Sequence, residues 1–281
     1  FTRDSYGSLP GRGIHDGMNR AARFARSCTA NHARCGYVAK VDISNFFTSI
    51  RKDILESLLA RRAADHPCWP TLMQVLHHDC RSKAHFKSSN AMFARVPPRK
   101  SLLHAPDGVG LPIGNLTSQF FANVYLHELD RFAKHELGIR YYGRYVDDIV
   151  LMAETAQQLN AWIEAIDGFL RNRLALHLNP TKTYLNKISA GFDFCGFWIK
   201  PGRVYLRRMT WERAKHRVEG LQQPASGGDV ASAEALAATT NSYFGMLRNV
   251  DGYRARQALA VRAGSLFVQP EADVTRMKVR T

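Results

Sequence analysis

"YYGRYVDDIVLMAE", residues 141–154, sets two adjacent aspartates, Asp147 and Asp148, between two apolar runs. The flanking pattern predicts a β-hairpin with both acids at its tip. Consecutive like charges at a tight turn repel each other, and two readings account for them. Acidic side chains suit turns because they hydrogen-bond the local backbone. Alternatively, a cation sits between them and a third carboxylate from elsewhere in the chain.

Working outward, "GYVAKVDISNFF" (36–47) starts with a short apolar strand, Tyr37 to Ile43, that carries one buried-type acid, Asp42. If this strand neighbours the hairpin in one sheet, Asp42, Asp147 and Asp148 converge. Like charges packed within a few ångströms push a carboxyl pKa up, and divalent cations remove that cost. Hard cations such as Mg²⁺ take oxygen ligands and share them with substrate phosphates. Two of them clamp the attacking and leaving oxygens of an in-line phosphoryl transfer. The plainer reading of Asp42 is an ion pair with Lys40, two residues away on the same strand face.

The bulk composition agrees with a polyanion partner. The chain has 281 residues, 45% hydrophobic, with a formal net charge of +15 and a pI near 9.9. That is a globular composition whose basic excess favours nucleic acid over a membrane surface. No apolar run approaches the ~18 residues of a membrane span, and no signal peptide is evident. The five cysteines show no CxxC pairing, which suits free thiols in a reducing cytoplasm. Cys68, His77, His78, Cys80 and His85 are zinc-type ligands, but their spacing matches no common zinc motif. The chain starts with Phe1 rather than Met, as a fragment would.

Helical periodicity recurs between the strands. "MNRAARFARSCTA", "RKDILESLLARRAA" and "TLMQVLHHDC" read as helices, and residues 1–17 and 81–108 as loop. "SQFFANVYLHELDRFAKHEL" puts Ala122, Tyr125, Leu126, Leu129, Phe132, Ala133 and Leu137 on one helix face. "LNAWIEAIDGFLRNRL" does the same with Leu159, Trp162, Ile163, Ile166, Phe169, Leu170 and Leu174. "FDFCGFWIKPGRVYLR" reads as a second hairpin turning at "PG". The last 75 or so residues read as helical and basic, broken by the loop-like "PASGGD" (224–229). The expected fold is α+β, a small sheet with helices packed on one face.

"VAKVDISNFF", "GLPIGNLTSQFFANVYL", "YYGRYVDDIVLMAE", "LHLNPTKT" and "FDFCGFWI" resemble, in order, the palm motifs of reverse transcriptases. The resemblance implies a right-hand polymerase: a small antiparallel sheet packed on helices, with partial fingers. It places fingers remnant and palm at 1–206 and a helical thumb-like region at 207–281. It implies an RNA-directed DNA polymerase using two Mg²⁺ ions, or Mn²⁺ in their place. Its partners would be an RNA template, a DNA or RNA primer and deoxynucleoside triphosphates, with no membrane. Its setting would be the cytoplasm of a bacterium, the gene being bacterial or phage-borne.

By that resemblance Asp42 and Asp147 are metal ligands and Asp148 the supporting acid. Phe47 matches the bulky gate that excludes a ribose 2′-hydroxyl; its plainer reading is a core aromatic. Gly114 matches the glycine that lets a base pair lie against backbone. Ile113 and Gln119, in the same segment, are nucleotide-binding candidates. Lys182 matches the lysine that assists the pyrophosphate leaving group, with a solvated surface lysine as the plain alternative. Cys195, Gly196 and Phe197 would form the turn that grips the primer. Arg207, Arg208, Arg213, Lys215 and Arg217 make a basic run suited to phosphate contact, or an ordinary solvated helix face.

Two departures stand out. Most reverse transcriptases carry Gln where this chain has Ile113, and apolar surface there should loosen discrimination among nucleotides. "IGNLTSQ" resembles the enzymes of diversity-generating retroelements, which copy RNA with errors at adenines and work with a small basic accessory protein. Retron-like and defence-type enzymes are the alternatives, as is a non-catalytic RNA-binding palm. Second, the finger strands that hold the triphosphate in the family would precede "SYGSLPGRG". From Phe1 onward the expectation is a palm that polymerises poorly.

Overall fold

The computed structural model describes residues 1–82, 84–85 and 87–264, together with the backbone of 267–268 and 278–279. Its contacts divide the chain into two compact units, Phe1–Lys187 and Ile188–Thr281.

The first unit runs α1 (Ile14–Cys28), β1 (Tyr37–Asp42), α2 (Phe46–Ser49), α3 (Lys52–Ala63), α4 (Trp69–His77) and α5 (Asn90–Phe93). After two short 3₁₀ turns come α6 (Leu116–Arg131), β2 (Tyr141–Tyr145), β3 (Asp148–Ala153), α7 (Ala156–Leu174) and β4 (Tyr184–Lys187). The sheet order is β2-β3-β1-β4, with every pair antiparallel. The α+β palm-type architecture is therefore present, and β1 sits in the middle of it.

β1 is buried from Val38 onward, which explains why its sequence is apolar rather than alternating. Ala39, Val41, Ile149, Leu151 and Tyr142 share one sheet face with the core of α3, α6 and α7. The apolar stripes expected on α6 and α7 supply that core, with Tyr125, Leu126, Leu129, Leu159, Ile166 and Leu170 at 0% exposure. α6 continues as a π-helical turn, Phe132–Glu136, and Thr155 caps α7 by accepting from the Gln158 N–H.

The helices are not confined to one face, contrary to expectation. α1 covers the other side, burying Met18, Ala21, Phe24, Ala25 and Cys28. It packs over Gly143 of β2, where a Cβ would make ordinary contact with Tyr6 at 3.5 Å and Phe24 at 3.7 Å. Residues 4–6 also pair with Arg144, shielding the β2 edge of the sheet.

The second unit contains a three-stranded meander, β5 (Phe192–Phe194), β6 (Phe197–Lys200) and β7 (Arg203–Leu206). The expected hairpin at "PG" joins β6 to β7, with Gly202 at φ +73°. A further two-residue turn, Cys195–Gly196 at φ +53° and +84°, joins β5 to β6. Helices α8 (Arg208–Ser226), α9 (Val230–Leu247) and α10 (Tyr253–Ala263) follow and pack around Val218, Leu236, Phe244 and Leu259. The break expected from Pro224 to Asp229 begins later, because α8 extends to Ser226. Pro224 falls in the last turn of α8, followed by the buried Ala225. Beyond α10 the described backbone is strand rather than helix: β8 (Phe267–Val268) pairs with β9 (Lys278–Val279). The helical expectation for 269–277 lies outside the described residues.

Candidate active site

Register places the acids. Asp42 is the last residue of β1 and Asp148 the first of β3, and the two are direct partners across the antiparallel ladder. Tyr145 pairs with Asp148, so the hairpin turns on only two residues, Val146 and Asp147. Asp147 thus stands beside the Asp42–Asp148 pair. The convergence expected from the sequence is met through neighbouring strands.

The turn is strained. Val146 has φ +55°, at a position where two-residue hairpins favour glycine and a β-branched residue is an outlier. Two contacts hold it. The Arg144 guanidinium donates to the Val146 carbonyl at 2.9 Å. Gly7 packs so closely that a Cβ there would meet Val146 Cγ2 at 2.6 Å. Arg144 is fully buried and is itself fixed by Asp130, also fully buried, through two 2.7 Å hydrogen bonds. Burial disfavours the guanidinium charge, but the Asp130 carboxylate overcomes this and raises the Arg144 pKa. The Tyr142 hydroxyl donates to Asp130 at 2.6 Å, and Ser5 Oγ accepts from Arg144 at 2.9 Å.

Lysines stand against the acids. Lys182 Nζ lies 3.1 and 3.0 Å from the two Asp42 oxygens, and Lys40 Nζ lies 3.4 Å from Asp148. Lys40 lies two residues from Asp42 on one strand face, so Asp148, opposite Asp42, is its diagonal neighbour. The hydrogen bond to Asp42 raises the Lys182 pKa despite partial burial. Asn179 adds its N–H to the Asp42 carbonyl at 2.7 Å and its side-chain amide to Asp42 Oδ2 at 3.4 Å. Burial, followed by the charges of Asp42 and Asp148, pushes the Asp147 carboxyl up to about 6.

Among the described residues no three His, Cys, Asp or Glu side chains form a ready metal cage. The donor set nonetheless suits a hard cation. Three carboxylates share one end of the sheet, and Asp147 carries the raised proton affinity that an added positive charge would relieve.

A cleft of about 600 Å³ opens beside Asp147, with Phe47, Arg99, Lys100, Ile113 and Lys182 in its lining. Phe47 is half-buried and edge-on to Phe46, with ring centroids 5.3 Å apart. It therefore serves core and cleft together. Ile113 is 76% exposed. Gly114 has φ +103°, and among the described residues no atom beyond its chain neighbours lies within 4 Å of where its Cβ would be. Gln119 sits half-buried on the first turn of α6 and is not itself part of the cleft lining.

The remaining candidates belong to the second unit. Cys195 and Phe197 are buried, at 6% and 0% exposure, so the turn they flank offers its backbone rather than their side chains. Arg207 pairs with Asp193 at 3.4 Å, and Lys215 pairs with Glu212 at 2.7 Å. Arg208, Arg213 and Arg217 are exposed on α8.

Several further site residues carry only weak signals in the sequence. Asn179 could have been found from "NP", a turn initiator next to Lys182. Arg144 could have been found as a charge inside a strand that otherwise reads as buried. Arg99 and Lys100 fall in a stretch that reads only as surface loop.

Residues 1–199 match the family described as Reverse transcriptase (RNA-dependent DNA polymerase). Protein YkfC of Escherichia coli K12 is 23% identical over 228 residues, covering 68% of this chain and 54% of that protein. A 91 kDa protein in a cob intron of Schizosaccharomyces pombe, itself uncharacterized, is 27% identical over 135 residues, 48% of this chain and 14% of its own length. The chain thus spans about half the length of the first of these relatives and a small part of the second. Apo telomerase from Candida tropicalis aligns with a TM-score of 0.48 at 14% identity, over 92% of this chain and 50% of that one. Telomerase from Candida albicans, bound to a fragment of telomeric RNA, aligns at 0.45 and 11% identity, over 93% and 49%. With the family match spanning both the acid-bearing hairpin and the strand that carries Asp42, this chain belongs to the reverse transcriptase (RNA-dependent DNA polymerase) family.

Proposed function

We propose that the chain is an RNA-directed DNA polymerase acting by template-dependent nucleotidyl transfer. The observation that carries this reading is the pairing of Asp42 with Asp148 across β1 and β3, with Asp147 beside them on an open cleft. Asp42 and Asp147 would hold two Mg²⁺ ions, or Mn²⁺, with Asp148 in support. When bound, the ions supply charge stabilisation at the attacking and leaving oxygens. The primer 3′-hydroxyl loses its proton to solvent, and its oxygen bonds to the α-phosphorus as the bond from that phosphorus to the oxygen bridging to the β-phosphorus breaks. The pyrophosphate leaves with a proton from Lys182, which already reaches into the acids. The Phe47 ring occupies the space of a ribose 2′-hydroxyl, favouring deoxynucleotides. Gly114 leaves room for the nascent base pair, and Gln119 supports that wall through α6.

Residues 1–206 act as palm and fingers remnant and 207–281 as a thumb-like region. In the first of these the backbone of Cys195–Phe197 steadies the primer. Arg207, Arg208, Arg213, Lys215 and Arg217 contact phosphates; the exposed Arg208, Arg213 and Arg217 are the least committed to acids. The partners are an RNA template, a primer and deoxynucleoside triphosphates. No described helix is long and apolar enough to cross a membrane.

The test is extension of a primer annealed to a defined RNA, with the product sequenced. Product complementary to the RNA supports the reading. Product of equal yield without template assigns the chain to untemplated synthesis, and RNA binding without incorporation reduces it to a binding module.

Within this reading the chain is an error-prone enzyme of a diversity-generating retroelement, working with a small basic accessory protein. Ile113 supports this: it presents bare apolar surface to the cleft where a polar residue would select the nucleotide. Ile113→Gln should lower misincorporation opposite template adenine, and unchanged error rates would remove that support.

A further inference from the structure

Two cations on the cleft wall come from outside the five palm-type motifs. Arg99 and Lys100 line the same cleft as Asp147, Ile113 and Lys182, yet they belong to the segment between α5 and α6. We propose that Arg99 and Lys100 bind the polyphosphate of the incoming nucleotide. This rests on the polymerase reading and adds which part of the substrate this segment holds.

The segment is fixed where it meets the cleft. Thr48, the residue after Phe47, donates its hydroxyl to the Arg99 carbonyl at 3.0 Å. The Lys100 N–H closes a 3₁₀ turn onto the Pro97 carbonyl at 2.8 Å, and Pro97–Pro98 restrict the approach. Leu102 packs against Gly110, where a Cβ would come within 2.5 Å of its Cδ1. Gly110 in turn donates to the Ile50 carbonyl at 2.7 Å. Both cations are thereby tied to α2 and its flanks, which also carry Phe47.

Their charges are also uncommitted. Neighbouring arginines are neutralised: Arg51 pairs with Asp53, and Arg81 with Asp79 and Asp107. Lys182 is engaged with Asp42. Among the described residues neither the Arg99 nor the Lys100 side chain has an ion pair or hydrogen bond. Two unpaired cations in a cleft of this size, beside carboxylates suited to metal ions, complement a metal-bound triphosphate. The planar guanidinium fits phosphate oxygens in pairs, and the ammonium adds a point charge.

The test uses the full chain on an RNA template with a dideoxy-terminated primer, so that no bond forms. Binding of dGTP and of dGMP opposite template C is compared for the parent and for Arg99→Ala/Lys100→Ala. The expected result is about a tenfold or greater loss for dGTP, about 1.4 kcal/mol. That loss should shrink at high salt, with dGMP and primer–template affinity unchanged. Arg99→Lys should restore part of the loss. In extension assays the variant's KM for dGTP rises while kcat stays within about threefold. Unchanged dGTP affinity, or equal loss for dGMP, overturns the assignment. A parent that extends no primer refutes the polymerase reading instead. The binding comparison needs no chemistry and decides the role of Arg99 and Lys100 in either case.

Discussion

Replacing Arg144 separates the stability of the palm from the placement of its acids. Arg144 and Asp130 are both completely buried, and Arg144→Met leaves the Asp130 carboxylate with the Tyr142 hydroxyl as its remaining close donor. Removing one partner of a buried ion pair costs about 3–5 kcal/mol, because the other charge stays desolvated. With a urea m-value of about 2 kcal/mol/M, the unfolding midpoint should fall by about 2 M. Arg144→Met with Asp130→Leu removes both charges, and such apolar replacement of a buried pair is often neutral, so most of the loss should be recovered. Activity should not recover with it. Both variants lack the 2.9 Å bond to the Val146 carbonyl that holds the strained turn. Urea melts followed by circular dichroism, alongside primer extension at a temperature where the double variant is fully folded, separate the effects. A double variant with parental turnover would refute the claim that Arg144 positions Asp147. A single variant with an unshifted midpoint would refute the cost of the buried charge.

Three further outcomes follow from the same geometry. Gly7→Ala should destabilise by about 1–3 kcal/mol through overpacking against Val146 and slow extension, read by melting and turnover together. Lys182→Ala should lower kcat about 100-fold if it protonates the leaving group, with primer–template affinity unchanged in a gel-shift titration. Burial pushes the Asp4 pKa up, but Lys134 and Arg20 outweigh this and hold it below its usual 3.8. A depressed carboxyl pKa stabilises the fold above the unfolded value and loses that contribution as pH falls through the folded value. The Tm gap between the parent and Asp4→Asn should therefore be full above about pH 4 and narrow below it. A gap independent of pH would refute the ion pairing.

The strands that carry the acids were readable because each is an apolar run ending in carboxylates. Pairing Asp42 with Asp148 needed only that the two strands be neighbours. β4 escaped notice because its four residues, "YLNK", are partly or fully exposed and show no apolar alternation. The turn at Cys195–Gly196 split one expected strand into two because it places a non-glycine at positive φ, which composition does not mark. The Arg144–Asp130 pair joins residues fourteen apart on a strand and a helix, so neither local propensity nor periodicity reports it. Lys40, two residues from Asp42 on the same face, lies 3.4 Å from Asp148, and Lys182 reaches Asp42 from the segment after α7; only tertiary structure sets these two contacts. At the cleft, Ile113, Phe47 and Lys182 were legible through resemblance, whereas Arg99 and Lys100 come from a segment without apolar pattern.

The central claim is that Asp147 and its two neighbouring acids form a nucleotidyl-transfer centre. Its most direct measurement is primer extension on an RNA template by Asp147→Asn, compared with the parent at matched folding and matched primer–template binding. The exchange keeps the size of the side chain and removes the carboxylate that would hold the cation. The account predicts that the parent incorporates deoxynucleotides in Mg²⁺ and that the variant loses incorporation by at least about 100-fold. A folded, template-bound variant that extends as fast as the parent would contradict it.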